Sequence, residues 1–221
     1  MNRPAVTLKL ATSLDGRIAT AAGESKWITE EAARAHVHRL RAAHDAVLIG
    51  VGTALADDPE LTARTDPLPL RQPVRVVFDS AARLSPTSRL ARTIDAGPVA
   101  VLVAADADPA RIAALQAAGV VVERLDAPGR IDVDEALSRL AARFRVTRAF
   151  LEGGGRLAAA FVNVDRVDRI EWFRAPILLG GDGVPAIGAL GLTALTAAPR
   201  FRRVAVRDGE RDLWETYERA L

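Results

Sequence analysis

The feature that most limits the fold of this chain is an alternation. Short apolar, β-branched runs at 46–50, 74–78, 99–104, 120–125 and 149–152 are interleaved with helix-type stretches at 109–118 and 132–143. Runs of that length and composition read as strands, buried at 46–50, 74–78, 99–104 and 149–152, and strand–helix–strand repetition predicts a mainly parallel sheet flanked by helices. The pattern opens earlier, with a strand at 6–11 and a helix at 29–43 in which Thr29 is the expected N-cap. It changes at the end. The stretches 167–174, 201–206 and 213–219 read as strands with no helix between them, which predicts an antiparallel C-terminal edge.

Segment 57–73 is polar, carries four prolines and reads as a long surface loop; loops of that length are often functional. No internal repeat or low-complexity linker is present. The weakest internal boundary is 81–98, and the reading is a single α/β domain over 1–221. No run approaches the length of apolar chain a membrane span needs, and no signal-peptide core is present, so a cytoplasmic protein is expected.

The chain has no cysteine, which excludes disulfides, thiolate nucleophiles and cysteine metal sites. Of 30 basic residues only Lys9 and Lys26 are lysine. The arginines are scattered among nearly as many acids, without the basic stripe that nucleic-acid binding requires. The three histidines, His36, His38 and His44, lack metal-ligand spacing, and no G-x-S-x-G nucleophile motif occurs.

Two glycine turns carry the local chemistry. Gly153-Gly154-Gly155 follows a strand and opens a helix at Arg156-Leu157. Glycines let a phosphate approach the backbone, and the amides at a helix start point at it. The alternative is a tight strand-to-helix turn. Gly50-Val51-Gly52-Thr53 repeats the arrangement after another strand, and Thr53 adds a hydroxyl. Two such turns at the carboxyl ends of parallel strands suit the two ends of one dinucleotide, although neither matches the dinucleotide fingerprint. Lys9 interrupts the first strand; it either faces solvent or offers a compact positive charge to a substrate. Glu152 closes a buried strand, as a rim residue or as an anchor for hydroxyls or a developing cation.

Taken in order, Lys9-Leu10-Ala11-Thr12-Ser13-Leu14-Asp15-Gly16-Arg17, Gly23-Glu24-Ser25-Lys26-Trp27-Ile28-Thr29, the run from Gly50 to Arg64 and Leu151-Glu152-Gly153-Gly154-Gly155 resemble the reductase domain of the riboflavin-biosynthesis deaminase/reductase. This is the RibD C-terminal domain family, whose fold is like that of dihydrofolate reductase. The resemblance implies NADPH-dependent reduction of the ribosyl group of 5-amino-6-(5-phosphoribosylamino)uracil to ribityl. The alternative is an enzyme of the same fold acting with NADPH on another pyrimidine or a pterin-like substrate.

It also implies substrate contacts at Ser25, Arg41, Leu61, Arg64 and Glu152. Implied cofactor contacts are Ala11, Trp27, Thr53, Asp57 and the segment from Gly154 to Ala160, with Ser80 and Arg83 as candidates for the 2′-phosphate. Lys9, Glu152 and Asp57 are the expected catalytic residues, and a homodimer is the expected assembly. The deaminase signatures H-x-E and P-C-x-x-C are missing, so the expectation is a stand-alone reductase whose deamination partner is another protein. Glu171-Trp172-Phe173 departs from the more aliphatic strand expected there; a dimer-interface strand is one reading.

Overall fold

The computed structural model describes residues 3–25 and 28–220. In chain order the elements are β1 (Ala5–Thr12), β2 (Arg17–Ala19), α1 (Glu31–Ala42), β3 (Ala46–Gly50), α2 (Val51–Asp57), β4 (Val74–Phe78), α3 (Arg89–Arg92), β5 (Val99–Val103), α4 (Pro109–Ala117), β6 (Val121–Arg124), α5 (Val133–Phe144), β7 (Arg148–Leu151), α6 (Gly155–Asn163), β8 (Arg169–Arg174), β9 (Val184–Pro185), β10 (Phe201–Asp208) and β11 (Leu213–Arg219). The expected architecture is present: a mainly parallel sheet, flanking helices and antiparallel strands at the C-terminal end. The chain clusters into two compact units, and none of the three boundaries between them falls in 81–98. That stretch instead contains α3 and a short 3₁₀ turn, with Leu84, Leu90 and Ala91 buried.

The first unit holds 1–5 and 38–150. Its strands run in the order β7-β3-β4-β5-β6, and β3, β4, β5 and β6 pair in parallel. Every residue of β4 and β5 is buried. Strands covered on both faces need continuous apolar sequence rather than alternation, which is why Val-Arg-Val-Val-Phe and Val-Ala-Val-Leu-Val serve here. The one charged member, Arg75, is itself wholly buried.

Helix α5 shows the local logic. The Asp132 side chain accepts the Glu135 amide at 2.9 Å, Asp134 and Glu135 lie in the first turn and Arg143 in the last, and each charge opposes the helix dipole. Val133, Ala136, Leu137 and Leu140 are its buried stripe. The spacing of three and four places them on one face.

The second unit holds 6–37 and 151–221. Its sheet runs β1-β8-β11-β10, with β1 and β8 parallel and the rest antiparallel. The departure at Glu171-Trp172-Phe173 has a physical reason. Glu171 is 1% exposed and accepts from Arg169 Nε at 2.6 Å, Trp214 Nε1 at 2.7 Å and Thr216 Oγ1 at 2.9 Å. Phe173 stacks on Trp214, and Trp172 Nε1 donates to Thr12 Oγ1. A buried carboxylate is tolerable when its oxygens are satisfied: Arg169 of β8 satisfies Oε1 and two donors from β11 satisfy Oε2.

Helix α1 begins at Glu31, two residues after the expected cap Thr29. The reason is non-local: the carboxylate of Asp212, distant in sequence, accepts the Glu30 amide at 2.6 Å.

Candidate active site

The most concentrated set of expected residues lies in the first unit. Helix α2 stops where Asp58 turns left-handed, at φ 38°, and returns its amide to the Ala54 carbonyl. The chain then descends into a loop whose backbone is pinned repeatedly. Thr62 O accepts from Arg41 Nη1 at 3.1 Å. Ala63 is gripped by the Gln72 amide, which accepts from its N–H at 2.8 Å and donates to its carbonyl at 2.9 Å. The Arg64 amide donates to His38 Nδ1 at 3.2 Å. Leu61 is buried and held at φ 60°, a conformation leucine adopts only when its surroundings over-determine it.

These pins shape a cavity of about 290 Å³ whose wall includes Arg41, Asp57, Leu61 and Arg64. Four expected site residues from two helix ends and a loop thus meet in one place. Four further wall residues were not singled out from sequence: Asp58, Pro59, Glu60 and Arg89. Arg89 arrives from α3, where its amide donates to Asp58 Oδ1 at 2.7 Å and its Nη2 pairs with Glu60 Oε2 at 3.1 Å. No local pattern could have found it, because its role depends on α3 lying under the loop. The Glu60 carboxyl is held below its usual range, chiefly by the Thr62 hydroxyl and then by the guanidinium groups of Arg89, Arg64 and Arg75, against the opposing effect of burial. The wall therefore carries the Arg41 and Arg64 guanidinium groups beside an apolar side chain, with the carboxylates of Asp57, Asp58 and Glu60 in the same wall. That combination suits a small phosphorylated ligand.

A larger cavity of the same unit, about 330 Å³, is lined by His44, Asp45, Arg71, Arg145 and Arg148 among others and contains none of the expected residues. Its carboxylate is already committed: Asp45 accepts from the Thr147 amide, the Thr147 hydroxyl and the Arg148 amide.

The remaining expected residues are placed as follows. Gly50 precedes α2, whose first turn receives no side-chain cap, and Thr53 lies within it. Gly52 is exposed, and no atom stands within 4 Å of where a side chain would begin. Protein packing does not demand glycine there. At the C-terminal end of β4, buried Asp79 accepts the Leu84 amide at 2.7 Å and organises the turn that carries Ser80 and Arg83. Arg83 Nε lies 3.7 Å from Asp79 Oδ1.

In the second unit, Lys9 and Ala11 are half-buried members of β1, in register with Glu171 and Phe173. Glu152, half-buried, immediately precedes the three glycines. Two of those glycines have conformational reasons of their own. Gly154 adopts φ 63°, and a Cβ on buried Gly155 would collide with the Pro185 carbonyl oxygen. Helix α6 starts without a side-chain cap. Arg156 is exposed, and Leu157 and Ala160 are half-buried. Ser25 is half-buried. Trp27, an expected cofactor contact, lies outside the described residues, as does Lys26.

A family model described as the RibD C-terminal domain matches residues 4–213. The chain is 40% identical over 200 residues to the riboflavin biosynthesis protein RibD of Bacillus amyloliquefaciens, covering 90% of this chain and 53% of that protein. It is 41% identical over 201 residues to the 2,5-diamino-6-ribosylamino-4(3H)-pyrimidinone 5′-phosphate reductase of Methanothermobacter thermautotrophicus, covering 90% of each. Among solved structures, Acinetobacter baumannii RibD matches with a TM-score of 0.87 at 29% identity, over 100% of this chain and 59% of that one. The chain spans about half the length of the RibD proteins it matches and nine-tenths of the Methanothermobacter thermautotrophicus reductase.

Proposed function

The chain belongs to the RibD C-terminal domain family, and from that membership we propose that it reduces the ribosyl group of 5-amino-6-(5-phosphoribosylamino)uracil to ribityl, with NADPH as reductant. One observation carries the reading: Arg41 and Arg64, from different elements, share a cavity with Leu61 and Asp57. A planar guanidinium fork matches the oxygens of a 5′-phosphate, and two forks orient it.

The residues expected to hold the coenzyme fit a phosphorylated dinucleotide in chemistry. The uncapped start of α6 presents backbone amides beside small residues, and Gly52 leaves open space at its α-carbon. In this reading Gly153, Gly154, Gly155, Arg156 and Leu157 take one part of the coenzyme, Gly50, Gly52 and Thr53 another, and Ser80 with Arg83 the 2′-phosphate. Ala11 contacts the coenzyme and Asp57 holds its ribose. The coenzyme, when bound, supplies the hydride.

The chain's own groups manage charge. Lys9 polarises the reacting sugar through its ammonium. Glu152 receives ribose hydroxyls and stabilises the cationic open-chain imine at C1′. Ser25 contacts the substrate's polar edge. We read 1–221 as one reductase domain that works as a cytoplasmic homodimer; no helix of the described residues is long and apolar enough to cross a membrane.

A second substrate has a specific observation behind it. The relative matched over nine-tenths of both chains is named for the 2,5-diamino pyrimidinone, which differs from the uracil at the ring and shares the phosphoribosylamino group. The Arg41–Arg64 cavity serves either compound. The test is coenzyme oxidation by the purified protein with each pyrimidine in turn. Turnover is expected with at least one, and with the phosphorylated form in preference to the phosphate-free form. Coenzyme binding with no turnover on either would overturn the reading.

A further inference from the structure

Arg75 is a buried cation for which the reaction just proposed has no use. It occupies the second position of β4 at 0% exposure. Its Nη1 donates to the Glu60 carbonyl at 3.1 Å and to Thr93 Oγ1 at 2.8 Å. Its Nη2 donates to the Thr93 carbonyl at 2.6 Å and to the Gly97 carbonyl. Its Nε finds no partner among the described residues. None of the four acceptors is a carboxylate. The Glu60 carboxylate acts on it only through space, and removing a guanidinium from water without a hydrogen-bonded anion is costly; an apolar side chain of similar volume would fill a strand position more cheaply. What the guanidinium gains in exchange is a grip on two separate segments: the turn at 93–97 and the loop at Glu60.

The second grip falls at an informative place. Glu60 directly precedes Leu61, the left-handed residue of the cavity wall. The pins downstream of Leu61 are those on Thr62, Ala63 and Arg64. Upstream, Arg89 holds the Asp58 and Glu60 side chains from α3, and the Arg75 bond to the Glu60 carbonyl is the clamp on the backbone that reaches the loop from the core. A strained residue persists only while both of its sides are held. If the Glu60 carbonyl is released, the side-chain bonds to Arg89 remain but the backbone next to Leu61 loses its clamp, so Leu61 can relax toward negative φ and the wall that carries Leu61 and Arg64 loses its register.

We propose that Arg75 is a positioning residue for the Leu61–Arg64 loop: its buried guanidinium fixes the Glu60 carbonyl and thereby sets the arginine wall of the cavity for its phosphate. The proposal rests on the reading of that cavity as the site of the 5′-phosphate.

The experiment compares the wild-type protein with Arg75→Met, Arg75→Lys and, as a control, Thr93→Val. Thr93→Val removes a partner of Arg75 in the other segment without touching the Glu60 bond. Arg75→Met is expected to raise KM for the phosphorylated pyrimidine by about tenfold or more, the scale on which misplacement of a site acts, with KM for the coenzyme unchanged. Amides of 61–64 should exchange faster with solvent deuterium. Arg75→Lys, which keeps a donor and the charge, should restore part of the affinity and so keeps the test alive if Arg75→Met does not fold. Thr93→Val should lower Tm without moving KM.

Unchanged exchange at 61–64 in an Arg75 variant, or an equal rise in KM for substrate and coenzyme, would overturn the role of Arg75. So would a Thr93→Val variant that reproduces the whole effect. If instead the wild-type protein shows equal kcat/KM for phosphorylated and phosphate-free substrate while the exchange result stands, the phosphate reading is what fails.

Discussion

Arg41 and Arg64 reach one cavity from the last turn of α1 and from a pinned loop. The Arg41 guanidinium is held on the Thr62 carbonyl, and the Arg64 backbone is pinned by His38. Arg64→Ala should reduce kcat/KM for the phosphorylated substrate by about 2 kcal/mol in transition-state stabilisation, the order expected when one partner of a charge-assisted pair is removed. Steady-state kinetics with the phosphorylated and phosphate-free substrates check this; equal losses on both would contradict a phosphate contact. Two carboxylates of the same unit make an opposite pair. Burial raises Asp45, but the Thr147 hydroxyl and amide and the Arg148 amide more than offset it, so its carboxyl lies below the usual range. A lowered native value contributes stability above the ordinary carboxylate range and loses it as pH falls. Asp45→Asn should therefore destabilise at neutral pH, and the difference should shrink in acid. Burial dominates at Asp79 and pushes it up, against the hydrogen bond from the Leu84 amide. Here the protonated form is favoured by folding, so stability declines as pH rises through the ordinary range toward the raised value. Asp79→Asn should be more stable than wild type at neutral pH and equal to it in acid. Thermal unfolding across pH separates the two signs.

At the scale of elements, helix α5 is the clearest case of sequence dictating structure. Asp132→Ala removes the cap on Glu135 and should cost about 1 kcal/mol. Leu137→Ala empties a wholly buried position and should cost about 2–5 kcal/mol. Denaturant melts of the two variants test whether the stripe outweighs the cap. The same helix was legible in the sequence because its signals are local: a cap, a charged first turn, an apolar stripe. So were β4, β5 and the glycine turn before α6. What escaped reading depends on distant partners. The start of α1 is set by Asp212 from the β10–β11 hairpin. Arg89 matters only because α3 brings it beside Glu60, and one carboxylate oxygen of Glu171 is satisfied from β11. Arg75, one charge in an apolar run, gave no local sign that it would be buried against carbonyls.

At the scale of the whole molecule, the order of motifs along the chain pointed to the family, and the family match over residues 4–213 agrees with it. The glycines show where a correct motif can carry more than one cause. Gly154 and Gly155 are required by φ and by the Pro185 carbonyl, so their presence alone does not report a phosphate; the uncapped start of α6 does more to support one. The chemistry proposed for the molecule is a single hydride addition at the ribosyl C1′. It is tested most directly with coenzyme carrying deuterium at the transferable position of nicotinamide C4, followed by mass analysis of the pyrimidine product. The account predicts a ribityl product with one deuterium at C1′, formed in step with coenzyme oxidation. A folded, coenzyme-binding protein that yields unreduced pyrimidine, or a product without label at that carbon, would contradict it.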